Sequence, residues 1–186
     1  MNKRYRIDSQ RSRFTVQAFA TGLLAGFAHS PVFAVRDYQG EIQWPMESSD
    51  EAAFQMTIRA SSLELTDQVK EGDRTEIQRQ LMQEVLEVDK YPEISFRSTK
   101  IAPTKIADNW FRSQIEGDMK LHGMTKSLQA DSQVRILDQE VRLSGEFSLL
   151  LSAFKIKRVS ALGGMIKLKD ELKFVFDFIA REEARG

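Results

Sequence analysis

Few residues in this chain could do acid–base, nucleophilic or metal chemistry. Two histidines, His29 and His122, stand far apart, and there is no cysteine, which excludes disulfides and thiolate metal sites. Two imidazoles and a carboxylate would suit zinc or iron, but this spacing has neither a helical nor a hairpin signature. No metal and no catalytic residue are therefore expected. Ser30 follows His29 directly, yet consecutive strand residues point to opposite faces, so the two cannot form a nucleophile–base pair. No Gly-x-Ser-x-Gly elbow, phosphate loop or dinucleotide fingerprint occurs. His122, in Leu121-His122-Gly123, reads as a strand-end histidine. His29, in Ala28-His29-Ser30-Pro31, reads either as a partly buried histidine bonded to backbone or as a polar handle within an apolar cavity.

Lys plus Arg and Asp plus Glu both number 27, for a net charge of zero, so no global field points to nucleic acid. The charge is unevenly placed, however. Residues 64–93 carry nine acids against four bases. Lys155, Lys157, Arg158, Lys167 and Lys169 lie in an acid-free stretch, which reads either as a solvated loop flank or as an anion site. At 186 residues the chain is read as one domain, 1–186, with a core that needs no covalent staples.

A basic start, the apolar run Ala18–Ala28 and the Val32-Phe33-Ala34 triplet together imitate a secretory leader. Asp8 interrupts the basic start, and Thr21, Gly22 and Gly26 break the run, which is also shorter than the roughly 20 residues of a bilayer span. The region is read as part of the fold. That favours the cytoplasm over the periplasm and gives no membrane span.

The elements that must position these residues are mostly strands. Phe54, Met56 and Ile58 alternate with polar neighbours, as do Val134 and Ile136, and Val141, Leu143, Gly145, Phe147 and Leu149; such a period of two marks half-buried strands. In the last strand Phe174, Phe176 and Phe178 alternate with a mixed second face that includes Val175 and Ile179, which suggests cover on both sides. Turn residues separate about eight such segments, without the crossover helices of a parallel sheet. One segment differs. Asp73 and Glu76 read as a capping box, followed by Ile77, Leu81, Met82, Val85 and Leu86 on one helical face that must end before Pro92. The fold class is thus all-β, an antiparallel eight-stranded barrel with one short amphipathic helix. Phe14, Val16, Phe54, Met56, Ile58, Ile94, Phe96, Phe147 and Phe174 are expected to face the interior. A barrel of this size is either filled by side chains or holds one small ligand, and the pattern leaves both open.

Several segments resemble the YceI-like family of lipocalin-resembling proteins. Lys90-Tyr91-Pro92-Glu93-Ile94-Ser95-Phe96-Arg97-Ser98 is similar to its K-Y-P-x-I-x-F-x-S stretch after a helix, and Gly117-Asp118-Met119-Lys120-Leu121-His122-Gly123-Met124-Thr125-Lys126 to its G-x-L-x-x-H-G-x-T-K hairpin. Tyr5-Arg6-Ile7-Asp8 resembles its Y-x-I-D opening, and Phe154-Lys155-Ile156 its F-G-I step with Lys155 at the usual glycine. Arg11 stands where a histidine is common, and Val32-Phe33-Ala34-Val35 replaces G-x-F-x-x-F. The resemblance implies a lipocalin-like barrel that holds a long apolar lipid, a polyisoprenoid such as a quinone or polyprenyl phosphate, for carriage or sequestration. No other cofactor is implied, and a homodimer is left open. His29, Arg36 and Arg158 are the expected head-group contacts, with Arg158 placed on the side of Ile156 by strand alternation. The rival readings are a lipid-modifying enzyme working through His29 and His122, and a ligand-free structural stress protein.

Overall fold

The computed structural model describes residues 2–21, 30–45, 51–158, 160–161 and 166–183. Its strands are β1 (Asn2–Ile7), β2 (Arg13–Thr21), β3 (Val32–Val35), β4 (Tyr38–Pro45), β5 (Ala53–Arg59), β6 (Leu63–Leu65), β7 (Glu93–Ala107), β8 (Trp110–Leu121), β9 (Met124–Leu137), β10 (Glu140–Leu150), β11 (Ser160–Ala161) and β12 (Ile166–Glu182). All pairings are antiparallel, and the order β1-β4-β5-β7-β8-β9-β10-β12 closes because β12 also pairs with β1. The result is the closed eight-stranded barrel expected from the alternation. Closure removes the exposed edges that an open sheet must protect.

Three of the eight paths are broken mid-way. β1 and β2 run in sequence along β12, parted at Asp8–Ser12, while β3 and β4 bend at Arg36 and Asp37. β5 and β6 are parted by the 3₁₀ turn Ala60–Ser62. Two-residue turns join β7 to β8, β8 to β9 and β9 to β10; in the β8–β9 turn His122 (φ 50°) and Gly123 (φ 71°) both take left-handed backbone, which matches the twist of a two-residue hairpin.

The lower half of the barrel is packed with rings. Phe14 lies 5.5 Å from Phe178 and 5.9 Å from Tyr38, Phe54 lies 5.8 Å from Phe96, and Phe176 lies 5.2 Å from Phe178. Such separations suit offset and edge-on aromatic pairs. Two inward positions carry glycine where rings pass. A Cβ on Gly117 would come within 2.7 Å of Phe96 Cε2 and 2.5 Å of the Arg97 carbonyl oxygen, and one on Gly145 within 2.8 Å of Phe176 Cζ. The Tyr38 hydroxyl and Ser113 Oγ are buried without a hydrogen-bond partner among the described residues.

Two sequence expectations are corrected. The helix α1 (Glu71–Gln80) starts earlier than the capping box implied: its N-cap is Lys70, and Asp73 lies within the first turn beside Glu71. Both acids face the positive end of the helix dipole there, which stabilises the start without a side-chain cap. One π turn, Leu81–Val85, follows α1 and buries Leu81, and the chain has left the helix well before Pro92. The last strand is not covered on both faces. Val175 is 41% exposed, and Arg142 crosses the outside of the barrel to chelate Asp177 with bonds of 2.7 and 2.5 Å.

Replacing Gly117 by Ala should destabilise the fold by about 1–3 kcal/mol through overpacking. Urea unfolding reads this, and a change under 0.5 kcal/mol would mean that the ring of Phe96 yields freely. The Arg142 guanidinium holds the Asp177 carboxyl below its ordinary range. That contribution is complete above the unfolded aspartate value near pH 4 and is lost as pH falls through the lower folded value. Arg142→Gln should therefore cost under about 1 kcal/mol at pH 7, because the pair is partly solvated, and the difference from wild type should vanish near pH 2.

Candidate functional site

At the other end of the barrel the ring is incomplete. β6 pairs with β3, but β7 pairs with β5 and runs no further than Arg59↔Glu93, so among the described residues one edge of β6 has no strand beside it. The helix takes that place with side chains. Gln78 Nε2 donates to the Leu63 carbonyl at 2.5 Å, and its Oε1 accepts from the Leu65 amide at 3.3 Å. Arg74 donates to the Leu65 and Asp67 carbonyls at 2.6 and 2.7 Å. A side-chain amide thus reproduces the donor–acceptor pair of a neighbouring strand, and the apolar face of the helix is drawn over the barrel mouth.

Between this helix and the aromatic half lies a cavity of about 250 Å³. β2 shows how it arises. Its inward residues shrink from Phe14 and Val16 to Ala18 and Ala20 toward the mouth, and the last three of these line the cavity. Ile77, Leu81, Val85 and Leu86 line it from the helical segment, and Leu151 and Ile156 from the segment after β10. Among the described residues, every lining side chain other than Gln80, Lys157 and Lys167 is apolar. A second void of about 20 Å³ lies deeper, among Phe14, Phe54, Met56, Phe96 and Phe147.

The expected interior residues divide between these two levels. Val16, Ile58, Ile94 and Phe174 stand on the cavity wall, whereas Phe14, Phe54, Met56, Phe96 and Phe147 surround the deep void. All are buried except Phe147, which is half-buried and stacks on Phe174 at 4.6 Å and 7°. The polar expectations fare differently. His29 lies outside the described residues. Arg36 is exposed at the β3–β4 bend and donates to Glu64 at 2.7 Å, on the outside of the barrel. Arg158 is exposed and off the cavity wall, where Lys157 stands instead. Sequence reasoning had grouped Lys157 and Lys167 in a basic stretch read as a solvated flank or an anion site, but missed Gln80 and the helical residues of the wall.

The sequence matches the YceI-like domain family over residues 5–180. The chain belongs to that family. Among solved structures, it superposes on BcnA of Burkholderia cenocepacia with a TM-score of 0.71 and 16% identity, over 93% of this chain and 98% of that one. A polyisoprenoid binding domain from Saccharophagus degradans, implicated in plant cell wall breakdown, gives 0.66 and 9%, over 96% and 98%. The YceI protein of Campylobacter jejuni gives 0.61 and 16%, over 81% and 84%. At these identities the likeness is one of fold. No curated protein matches the sequence.

Two YceI-like motifs acquire physical roles in this barrel. The His122 Nε2 and Glu87 Oε2 atoms are 2.5 Å apart, and the imidazole packs 4.5 Å from the ring of Tyr91. This ties the β8–β9 turn to the chain leaving the helix, and Glu87 itself has left-handed backbone (φ 46°). His122 is therefore engaged beside the mouth and does not line the cavity. The F-G-I step corresponds to the end of the 3₁₀ turn Leu151–Phe154, where Lys155 has φ 57° and ψ 24°. The flanking Phe154 and Ile156 are both buried. Glycine takes this backbone without penalty, whereas a lysine pays for its Cβ.

Lys155→Gly should accordingly raise stability by about 0.5–1 kcal/mol, or leave it unchanged where the greater freedom of the unfolded chain offsets the gain. Thermal unfolding reads this, and a loss above 1 kcal/mol would show that the lysine side chain makes a compensating contact.

Proposed function

We propose that this YceI-like barrel holds the hydrocarbon chain of an isoprenoid lipid, for carriage or sequestration. The observation that carries the reading is the cavity under the helix, whose wall among the described residues is apolar except for three polar side chains. Each methylene-sized group moved from water into such a space contributes about 0.8 kcal/mol before the cost of ordering the chain. A continuous apolar wall with a few polar groups at one end fits a lipid that keeps its head near water and its tail inside. Family membership and the likeness to a polyisoprenoid binding domain support the isoprenoid class.

Binding is favoured over catalysis because, among the described residues, no histidine and no carboxylate stands on the cavity wall. General acid–base work needs such a group within hydrogen-bond reach of the reacting atom. The head group belongs at the mouth, and the pathway served would follow from the head group's chemistry.

Native mass spectrometry of gently purified protein should show a stoichiometric adduct that fragments as an isoprenoid lipid. Protein that stays ligand-free when expressed and purified in the presence of such lipids would instead favour the structural reading, and accumulation of a chemically altered lipid would favour the enzyme.

A further inference from the structure

The cavity ends in a floor, and its mouth carries uncompensated positive charge. An apolar cavity of about 150 Å³ lined by Leu, Ile and Phe takes one benzene. By that ratio the 250 Å³ here takes a tail of about ten carbons. Met119, 2% exposed, borders both this cavity and the deep void. Beside it Phe174 is stacked on Phe147 and lies 6.1 Å from Phe14. The void beyond measures about 20 Å³, far below what one benzene needs. A longer chain meets packed rings, and the two glycines beneath Phe96 and Phe176 leave those rings no slack.

At the mouth, each of two lysines is the sequence neighbour of an apolar wall residue. Ile156 precedes Lys157, and Leu168 follows Lys167. Stems on an apolar wall with ammonium groups reaching water is the usual behaviour of lysine at such a boundary. Among the described residues, neither Lys157 nor Lys167 forms an ion pair, and no carboxylate lines the cavity. The third polar wall residue, Gln80, has its amide engaged by Glu76 at 2.9 Å. Two cations at the rim of a low-dielectric cavity attract an anion in front of them.

Resting on the lipid-binding reading above, we propose that the bound molecule is a short anionic amphiphile. Its phosphate or carboxylate head is held by Lys157 and Lys167, and Met119 and Phe174 stop its tail after about ten carbons. The floor sets the length and the two lysines set the head-group charge.

Calorimetric titration of the full chain with dimethylallyl, geranyl, farnesyl and geranylgeranyl monophosphates, and with geraniol, tests both parts. Affinity should climb more than about tenfold from the five-carbon to the ten-carbon phosphate and then stay within about threefold, since added carbons remain in water. Geranyl phosphate should bind about tenfold tighter than geraniol at low salt. That advantage should shrink as salt screens it, and it should disappear in the Lys157→Gln, Lys167→Gln double variant. Met119→Ala, which joins the two voids, should shift the preference toward farnesyl phosphate, and the wild-type series decides the length limit even where that variant melts too early to titrate. A geranylgeranyl phosphate affinity tenfold above that of geranyl phosphate overturns the length limit, and equal binding of geraniol and geranyl phosphate overturns the anion site, while either leaves the lipid-binding reading standing. Failure of every prenyl compound to bind overturns both.

Discussion

A strand edge that meets no other strand must have its amides and carbonyls satisfied, or it stays open to water and to other chains. In this barrel that requirement falls on β6, three residues long, and it is met by the side chains of Gln78 and Arg74. The rest of the mouth depends on this substitution. A true strand in that place would have completed the ladder and carried the alternation of β5 and β7 to the rim. A helix docked through its side chains brings a continuous apolar face, Ile77, Leu81 and Val85, across the opening and roofs the space below.

The barrel interior is graded from floor to roof. Phenylalanines fill one half so fully that inward glycines are needed at positions 117 and 145, while the other half is lined on β2 by Val16, Ala18 and Ala20. The choice between a packed core and a ligand cavity is therefore not a choice for the whole barrel. Close packing below supplies the burial that stabilises the fold, and undersized side chains above leave space that nothing in the described chain fills.

Much of this was legible in the sequence. A period of two survives wherever a strand has one buried face, so the barrel and its inward residues could be read from Phe14 to Phe174. The division of those residues between wall and floor could not, because it depends on register between strands distant in sequence, such as Met119 beside Phe96. The segment after β10 misled the reading for another reason. Alternation across residues 155–158 placed Arg158 with Ile156, but the stretch leaves the 3₁₀ turn Leu151–Phe154 through a left-handed Lys155 and forms no strand, and Lys157 borders the cavity instead. Arg36 sits at a bend, where its charge is directed to Glu64. The shrinking series on β2 was a readable sign of the cavity, whereas nothing in the sequence marks Gln78 as a surrogate strand.

Because the helix is held to β6 through side chains, its departure and the unfolding of the barrel belong to different scales of free energy. Peeling it away trades four side-chain hydrogen bonds for bonds to water and exposes Leu81 and Leu86, while neither the ladder closed by β1 and β12 nor the packed rings below take part. Local opening of this kind costs far less than global unfolding. A swinging roof of this kind opens a way into the cavity that leaves the wall of the barrel intact throughout.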